Sequence, residues 1–345
     1  MTAVTARIAA LLADSKRLTL AALVAALLAP FGVANTYQIN VLVLVLIFVL
    51  LAISVDLLLG FTGYLSLAHH GLWGVGAYSS AVFATKLGFP VVPSMIAAML
   101  FTAAVAAAVA VPSFRVRGHY FALVTLAMGE LIVLVLNNWV AVTEGPFGFT
   151  GIPEPWLPVL GTIDGRLAYY YLTLAVVVAV LAGVLKVLSS PFGLCLRAIR
   201  EDEDLAEAQG LHLSHYKVTA YAMSGFLAGV AGALFAHYQS VLGPDNFYIT
   251  YMAEMLVMVI VGGSGYVAGS IVGPLIFVTL PEVWRAVGEL RLVLFGALLI
   301  VMVIWAPDGI VGRTRTWVGR IGGDDAGGTE QPADPSADAR SGGDP

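Results

Sequence analysis

Long apolar segments follow one another along most of the chain, and they constrain its fold more than any other feature of the sequence. Apolar residues make up 59% of the 345 residues and charged residues 11%, whereas soluble domains carry roughly 25% charged residues. A helix needs about 20 apolar residues to cross the hydrocarbon core of a membrane, and many segments approach that length. A β-barrel would show short segments of alternating polarity instead. The sequence therefore predicts an all-α fold, a polytopic transmembrane helical bundle.

The apolar segments predict about 8–10 spans, because each is close to the length of a membrane-crossing helix. The candidate spans cover residues 18–34, 41–59, 66–85, 92–112, 119–140, 167–188, 217–238, 251–263, 268–284 and 292–306. Basic residues precede the first of them, which we interpret as a retained span rather than a cleaved signal peptide. Glycines interrupt the pattern near residues 57–70 and 259–270, so broken or re-entrant helices are expected there.

The distribution of Lys and Arg predicts the orientation of the chain. With the N-terminus inside, the inner basic residues are Arg7, Lys16, Arg17, Arg115, Arg117, Lys186, Arg197, Arg200, Lys217, Arg313, Arg315, Arg320 and Arg340. The outer ones are Lys86, Arg166, Arg285 and Arg291. Cytoplasmic loops are enriched in basic residues, so we predict that both termini are cytoplasmic. The predicted domains are a cytoplasmic segment at 1–17, a membrane domain at 18–312 and a disordered cytoplasmic tail at 313–345.

The longest strongly polar interruption, here called the polar loop, runs from Ser189 to Tyr216. Within it, Glu201–Gln209 is typical of a short helix, because acidic residues favour a helix start and Gly210 is placed to end it. Ala206 and Ala208 are small enough to let such a helix enter a groove of a soluble partner. The alternative interpretation is a solvated connecting loop.

Two glycine motifs of the same form lie in the two halves of the chain. Gly60-Phe61-Thr62-Gly63-Tyr64 recurs as Gly262-Gly263-Ser264-Gly265-Tyr266. Helix breaks inside a membrane present free backbone groups to a solute, and paired breaks are typical of transporters built from related halves. Our candidates for a translocation path are therefore Gly60, Gly63, Ser66, His69, His70, Glu130, Gly262 and Gly265. The alternative is close helix packing, with glycines at crossings and hydroxyl groups bridging helices.

Glu130 lies near the middle of the candidate span 119–140. A carboxylate at that depth costs roughly several kcal/mol unless it is neutral, paired or hydrated. We expect it to polarise a hydrated path or to anchor His69 or His70; a protonated structural hydrogen-bond donor is the alternative. Asp56, closer to a span end, is expected to reach the interface with water.

Rows of small residues mark the span 217–238, where Gly225, Gly229 and Ala233 lie beside Ser224, Ala228 and Gly232. Small residues at every fourth position permit tight helix crossing, within one subunit or between two. The outer loop 141–166 contains Gly, Pro and Trp156, and it forms either a compact lid or docking surface or a solvated connection.

The chain shows none of the sequence motifs for hydrolytic or ATP-binding sites that we sought. It lacks the metalloprotease HExxH and the GxSxG nucleophile motif, and its one cysteine excludes an internal disulfide. The lysines are Lys16, Lys86, Lys186 and Lys217, and none follows a glycine. A GxxxxGK[ST] phosphate-binding loop is therefore absent from this sequence, and ATP hydrolysis would have to come from another chain.

A family resemblance covers roughly residues 40–312. It is carried by LLLGFTGYLSLAHHGLWGVGAY (57–78), RGHYFALVTLA (117–127), SPFGLCLRAIREDEDLAEAQGLHLSHYKVTAYAMSGFLAGVAGAL (190–234) and VIVGGSGYVAGSIVGPLI (259–276). Together these segments resemble the permease subunits of branched-chain amino acid ABC importers. Glu207-Ala208-Gln209-Gly210 is similar to the E-A-x-G core of the loop through which such permeases engage their ATPases.

The resemblance implies a multi-pass permease in a prokaryotic inner membrane, surrounded by lipid and without a nucleic-acid partner. The implied partners are a second related permease, two cytoplasmic ATPases and an extracytoplasmic solute-binding protein. ATP and Mg²⁺ would bind the ATPases, with no cofactor and no enzymatic activity on this chain. The implied ATPase-coupling residues are Arg200, Glu201, Asp202, Glu207, Ala208 and Gly210. A urea or short-chain amide permease of the same superfamily and an ion-coupled secondary transporter remain alternatives.

Overall fold

A bundle of helices forms in the computed structural model, which describes residues 26–27, 29–32, 35–155, 165–283, 296 and 309–313. The α-helices are α1 (Thr36–Thr62), α2 (His69–Thr85), α3 (Val91–Ser113), α4 (His119–Asn138), α5 (Val140–Thr143), α6 (Gly165–Leu188), α7 (Pro191–Glu201), α8 (Glu203–Ala208), α9 (Leu213–Gln239), α10 (Ile249–Gly262) and α11 (Gly269–Val283). Short 3₁₀ helices cover Ala29–Gly32, Gly145–Phe147 and Pro244–Phe247.

The all-α polytopic fold is confirmed. Within the described part of the chain, five helices are long and apolar enough to cross a membrane, namely α1, α3, α4, α6 and α9. Both predicted helix breaks are present, since α1 ends at Thr62 before α2 begins at His69, and α10 ends at Gly262 before α11 begins at Gly269. Segment 1–17 and span 292–306, apart from Gly296, lie outside the described residues, as do most of span 18–34 and most of the tail.

Helix α9 lies at the centre of the bundle, packed against α1, α2 and α3. Its small residues make these contacts possible: a Cβ atom on Gly225 would lie 2.2 Å from Cβ of Ala106, and one on Gly232 would lie 2.4 Å from the carbonyl oxygen of Trp73. Real Cβ atoms do not approach other atoms so closely, so only glycine fits. The rows of small residues therefore serve tight crossings within this chain.

Replacing Gly229 with Leu tests this central packing. A Cβ atom there would lie 2.9 Å from Cβ of Thr102 and 3.1 Å from Cα of Met99. We expect the free energy of unfolding to fall by about 2–3 kcal/mol, because over-packing forces neighbouring helices apart. Thermal unfolding in detergent measures the change. Gly183→Leu on α6 is the control, since a Cβ atom there meets nothing within 4 Å; equal melting temperatures for the two variants would contradict the assigned crossing.

The loop 141–166 and the segment that follows α9 meet in a short antiparallel sheet. Strand β1 (Phe149–Thr150) pairs with β2 (Val241–Leu242), and Phe149 and Leu242 are buried. His237 on α9 links the loop 141–166 to α2. Its Nδ1–H donates to the carbonyl oxygen of Pro153 at 2.7 Å, and its Nε2 accepts from the Ser80 hydroxyl at 2.9 Å. The described part of the loop 141–166 is thus anchored to the bundle. Trp156 lies outside the described residues.

Candidate functional site

The polar loop contains two helices, α7 and α8, where the sequence predicted one from Glu201 to Gln209. The prediction is wrong at the start of the helix because Asp202 is extended, and its Oδ1 accepts the backbone N–H of Leu205 at 2.9 Å. A carboxylate in this position satisfies a free N–H at the first turn of α8, so Asp202 separates the two helices. Gly210 ends the second helix as predicted, with φ of 89° and its N–H bonded to the carbonyl of Glu207.

One face of the polar loop is exposed and the other packs on the bundle. Most of the residues predicted to engage a partner are exposed, namely Arg200, Glu201, Asp202, Glu207, Ala208 and Gly210. Ala206, in contrast, is 3% exposed and forms a small apolar cluster with Ile199 and Leu213. The interpretation of Ala206 as a residue that enters a partner's groove is therefore wrong, because its surface is covered by this chain.

Glu203 fixes α8 to the bundle. Its carboxylate accepts a hydrogen bond from the Tyr64 hydroxyl at 2.6 Å and pairs with the ammonium group of Lys217, which lies 5.1 Å from the centre of the Tyr64 ring. Burial raises the pKa of Tyr64 to about 12, so the hydroxyl remains protonated and donates. The Glu203 and Lys217 side chains are 22% and 8% exposed, so water screens the pair weakly. Sequence reasoning missed this group, since Tyr64 and Glu203 are 139 positions apart.

Arg200 differs from the other predicted coupling residues, because its guanidinium group reaches into the bundle. It donates to the carbonyl oxygen of Gly60 in the last turn of α1, and its side chain also lies against Gly63. The last carbonyl groups of a helix have no donor within the helix. Arg200 therefore satisfies one of the acceptors that the first helix break leaves free, at the end where a cation is favoured.

The two helix breaks touch each other through their glycines. A Cβ atom on Gly60 would lie 2.2 Å from the backbone nitrogen of Gly265, whose φ is 82°. At the second break, a Cβ atom on Gly262 would lie 2.0 Å from the carbonyl oxygen of Gly269. Three of the predicted path residues thus sit at close backbone contacts, and Gly63, with φ of 78°, ends α1 beside them.

Asp56 is buried, with 1% of its surface exposed, although the sequence placed it near the interface. Its Oδ1 accepts the backbone N–H of Gly265 at 2.8 Å, and its Oδ2 accepts the hydroxyl of Ser270 at 3.1 Å. The expectation of an interfacial side chain is wrong because α1 extends to Thr62 and the second break covers this turn. A charged residue near the first glycine motif was the available signal, but its partner was not apparent.

Ser66 and His69 form inward hydrogen bonds to α9. The Ser66 and Tyr221 hydroxyl groups are 2.8 Å apart, and Nε2 of His69 lies 2.7 Å from the hydroxyl of Ser224. The two Ser66 and His69 side chains are buried. The structure thus places both predicted path residues at helix–helix bridges.

His70 and Glu130 lie together where α2 crosses α4. Nε2 of His70 is 3.4 Å from Oε1 of Glu130, and the crossing is close because a Cβ atom on Gly71 would lie 2.7 Å from the carbonyl oxygen of Gly129. The His70 side chain is fully buried, whereas 48% of the Glu130 side chain is exposed. Glu130 therefore presents a carboxylate on the face of apolar helix α4 that points away from the bundle.

A cavity of about 390 Å³ lies between the first break, the start of α4 and the polar loop. Tyr64, His119, Arg200 and Glu203 provide its polar lining, and Ile199 contributes apolar surface. A solvent-accessible space therefore separates part of the polar loop from the bundle, whereas Leu196, Arg200 and Glu203 contact the bundle beside it.

Comparison with known proteins gives the family of the chain. Residues 37–303 match the family described as "Branched-chain amino acid transport system / permease component", which is most of the chain. The chain belongs to this family. Its members are transport permeases, and the permease described here is accordingly a membrane transport subunit rather than an enzyme.

Two kinds of relative resemble this permease. It is 31% identical over 322 residues to the high-affinity branched-chain amino acid transport system permease protein LivM of Salmonella typhimurium, covering 87% of this chain and 76% of that protein. It is 30% identical to LivM of Escherichia coli over the same shares. It is 26% identical over 289 residues to LivH of Salmonella typhimurium, covering 77% of this chain and 91% of LivH. No solved structure matches the chain.

The described part of the permease contains no group of three or more His, Cys, Asp or Glu side chains that is arranged to hold a metal ion. Several of its polar groups pair across helices, as Glu203 does with Lys217.

Proposed function

We propose that this chain is the translocation subunit of an ATP-binding cassette importer for branched-chain or related amino acids, driven by ATP hydrolysis on partner subunits. The observation that carries the proposal is the exposed acidic face of α8, held on the bundle by Glu203 in a chain that belongs to a transport permease family. Glu201, Asp202, Glu207, Ala208 and Gly210 would contact a cytoplasmic ATPase.

The similarity to both LivM and LivH supports a second, related permease as a partner. The remaining partners are two ATPases, which bind ATP and Mg²⁺, and an extracytoplasmic solute-binding protein. The distribution of basic residues supports cytoplasmic termini, and the bacterial relatives support a prokaryotic inner-membrane location. In this arrangement the membrane domain spans 18–312, the polar loop faces the cytoplasm, and 313–345 forms a cytoplasmic tail.

The path for the solute would run along the exposed face of α4 that carries Glu130, and past the helix breaks. A carboxylate that is half exposed in the middle of a span is unfavourable in lipid, so this face of α4 would meet a hydrated path at the contact with the second permease. Ser66 and His69 would hold the segment after the first break against α9 through their hydrogen bonds, on the bundle side of the path.

Transport assays test the proposal. Proteoliposomes that contain this chain, its second permease and the ATPases should accumulate radiolabelled leucine, isoleucine or valine only when ATP and the solute-binding protein are supplied. Competition by urea or short-chain amides, in place of branched-chain amino acids, would identify the alternative substrate class. Accumulation under a proton gradient by this chain alone would contradict the proposal and support ion coupling through His70 and Glu130.

Glu207→Ala and Gly210→Ala test the ATPase contact directly. We expect each to weaken co-purification of the ATPase and to lower uptake about tenfold, the effect of losing one important interface residue. Glu154→Gln, an exposed acid in the outer loop, is the control and should leave ATPase association unchanged. Full ATP-driven uptake by both the Glu207→Ala and the Gly210→Ala proteins would exclude this surface as the contact.

A further inference from the structure

The two helix breaks and the polar loop meet at one point, the contact between Gly60 and Gly265. This point lies near the C-terminal end of α1, and the atoms of the two glycines that meet there are backbone atoms. A contact between backbone atoms has no side chain between the two breaks that could rearrange to absorb a displacement of one of them.

Two charged side chains hold this contact from opposite ends. Asp56, one turn before Gly60 on α1, bonds to the N–H of Gly265 inside the second break and to Ser270 in the first turn of α11. Arg200, in the last turn of α7, bonds to the carbonyl of Gly60 and lies 3.0 Å from where a Cβ atom on Gly265 would be. The buried carboxylate and the guanidinium group thus share the same pair of glycines.

The position of Arg200 connects this contact with the exposed face of the polar loop. Helix α7 is continuous from Pro191 to Glu201, and Asp202 alone separates it from α8. A force applied to α8 therefore reaches Arg200 over a short and helical path. Charge-assisted hydrogen bonds are about twice as strong as neutral ones, so the link between Arg200 and Gly60 can bear such a displacement.

We propose that Arg200 and Asp56 are positioning residues that connect the polar loop to both helix breaks, so that movement of α7 shifts the contact between Gly60 and Gly265. This inference rests on the proposed function and deepens it. Arg200 acts inside the chain, as the link between the ATPase-facing surface and α1. Asp56 passes the displacement of α1 on to α10 and α11.

Cysteine labelling in the second break tests the connection. In a Cys195→Ser background, Ser264→Cys places a half-buried thiol beside Gly265. The rate of its reaction with a maleimide reports how accessible residue 264 is in the second break. The assay uses the complete complex with its ATPases, with and without ATP and vanadate. We expect ATP to change the labelling rate in the Ser264→Cys protein.

Arg200→Gln should abolish this ATP-dependent change and lower uptake per ATP hydrolysed by roughly tenfold, the worth of one charge-assisted hydrogen bond. ATPase association and hydrolysis should persist. Arg200→Lys, which restores a cationic donor, should recover most of the change. Arg197→Gln is the matched control, because Arg197 is exposed on the same helix and has no side-chain hydrogen bond or ion pair within the described residues.

Asp56 has its own pair of variants. Asp56→Asn keeps an acceptor for the N–H of Gly265 and should retain the ATP-dependent labelling, whereas Asp56→Leu should lose it. An ATP-dependent change that persists in Arg200→Gln or in Asp56→Leu would overturn the connection while leaving the importer intact. Labelling that does not respond to ATP in a Ser264→Cys protein with intact ATP-driven uptake would also overturn the connection, whereas loss of ATP-driven uptake from the complete unsubstituted complex would count against the proposed function.

Discussion

Gly60→Val is expected to lower the free energy of unfolding by roughly 3 kcal/mol or more and to leave no measurable uptake, since over-packing at a backbone contact leaves little room to relax. A Cβ atom on Gly60 would lie 2.1 Å from Oδ1 of Asp56 and 2.2 Å from the backbone nitrogen of Gly265. Neither atom is the free end of a flexible side chain, because the carboxylate is held by two hydrogen bonds. The two breaks must therefore separate.

Thermal unfolding in detergent and uptake in vesicles measure the two effects of Gly60→Val. Gly165→Val at the start of α6 is the control, because a Cβ atom there meets nothing within 4 Å. Gly60→Ala should already show most of the loss, since the Cβ atom alone makes the close contacts. A Gly60→Val protein with the stability of the unsubstituted chain would show that the breaks do not touch.

The second large effect is expected at Glu130. Glu130→Leu should lower uptake about 100-fold, which corresponds to ~2.7 kcal/mol, because it replaces the exposed carboxylate of α4 with an apolar surface that favours lipid over water. Glu130→Gln should lower uptake about tenfold, since an amide keeps polarity and a hydrogen-bonding group near His70 but loses the charge.

Stability separates the role of Glu130 in transport from its contact with His70. Glu130→Gln should unfold at the same temperature as the unsubstituted chain and retain its partner subunits, while its uptake falls. A structural role alone would lower the melting temperature and uptake together. Uptake at the original rate in Glu130→Leu would remove this face of α4 from the proposed path.

Local sequence patterns predicted the helices well. Spans 92–112 and 167–188 correspond to α3 and α6 with shifts of one or two residues at their ends, because continuous apolar runs and their polar ends are local signals. Glycines predicted both helix breaks for the same reason. The start of α8 was misplaced because Asp202 favours a cap over a helical position, and a run of acids does not show which one is the cap.

The candidate site was predictable as a set of residues but not as an arrangement. The glycine motifs, the polar loop and Glu130 all stand out against an apolar background. Their division into three groups was not apparent: the glycine contact held by Arg200, the bridges of Ser66 and His69 to α9, and the His70–Glu130 pair. Glu203 and Lys217 were not among the predicted site residues, since each resembles an ordinary charge in a cytoplasmic loop.

The sequence by itself determined that this chain is a helical membrane protein, because lipid offers no hydrogen-bond partners and each span must satisfy its backbone within itself. Its motifs also indicated the family to which the chain belongs. Only the tertiary structure decided which polar groups meet: Asp56 bonds to Gly265, 209 positions away. Such a contact depends on how closely whole helices approach, and that distance follows from small residues on several helices acting together rather than from any one segment.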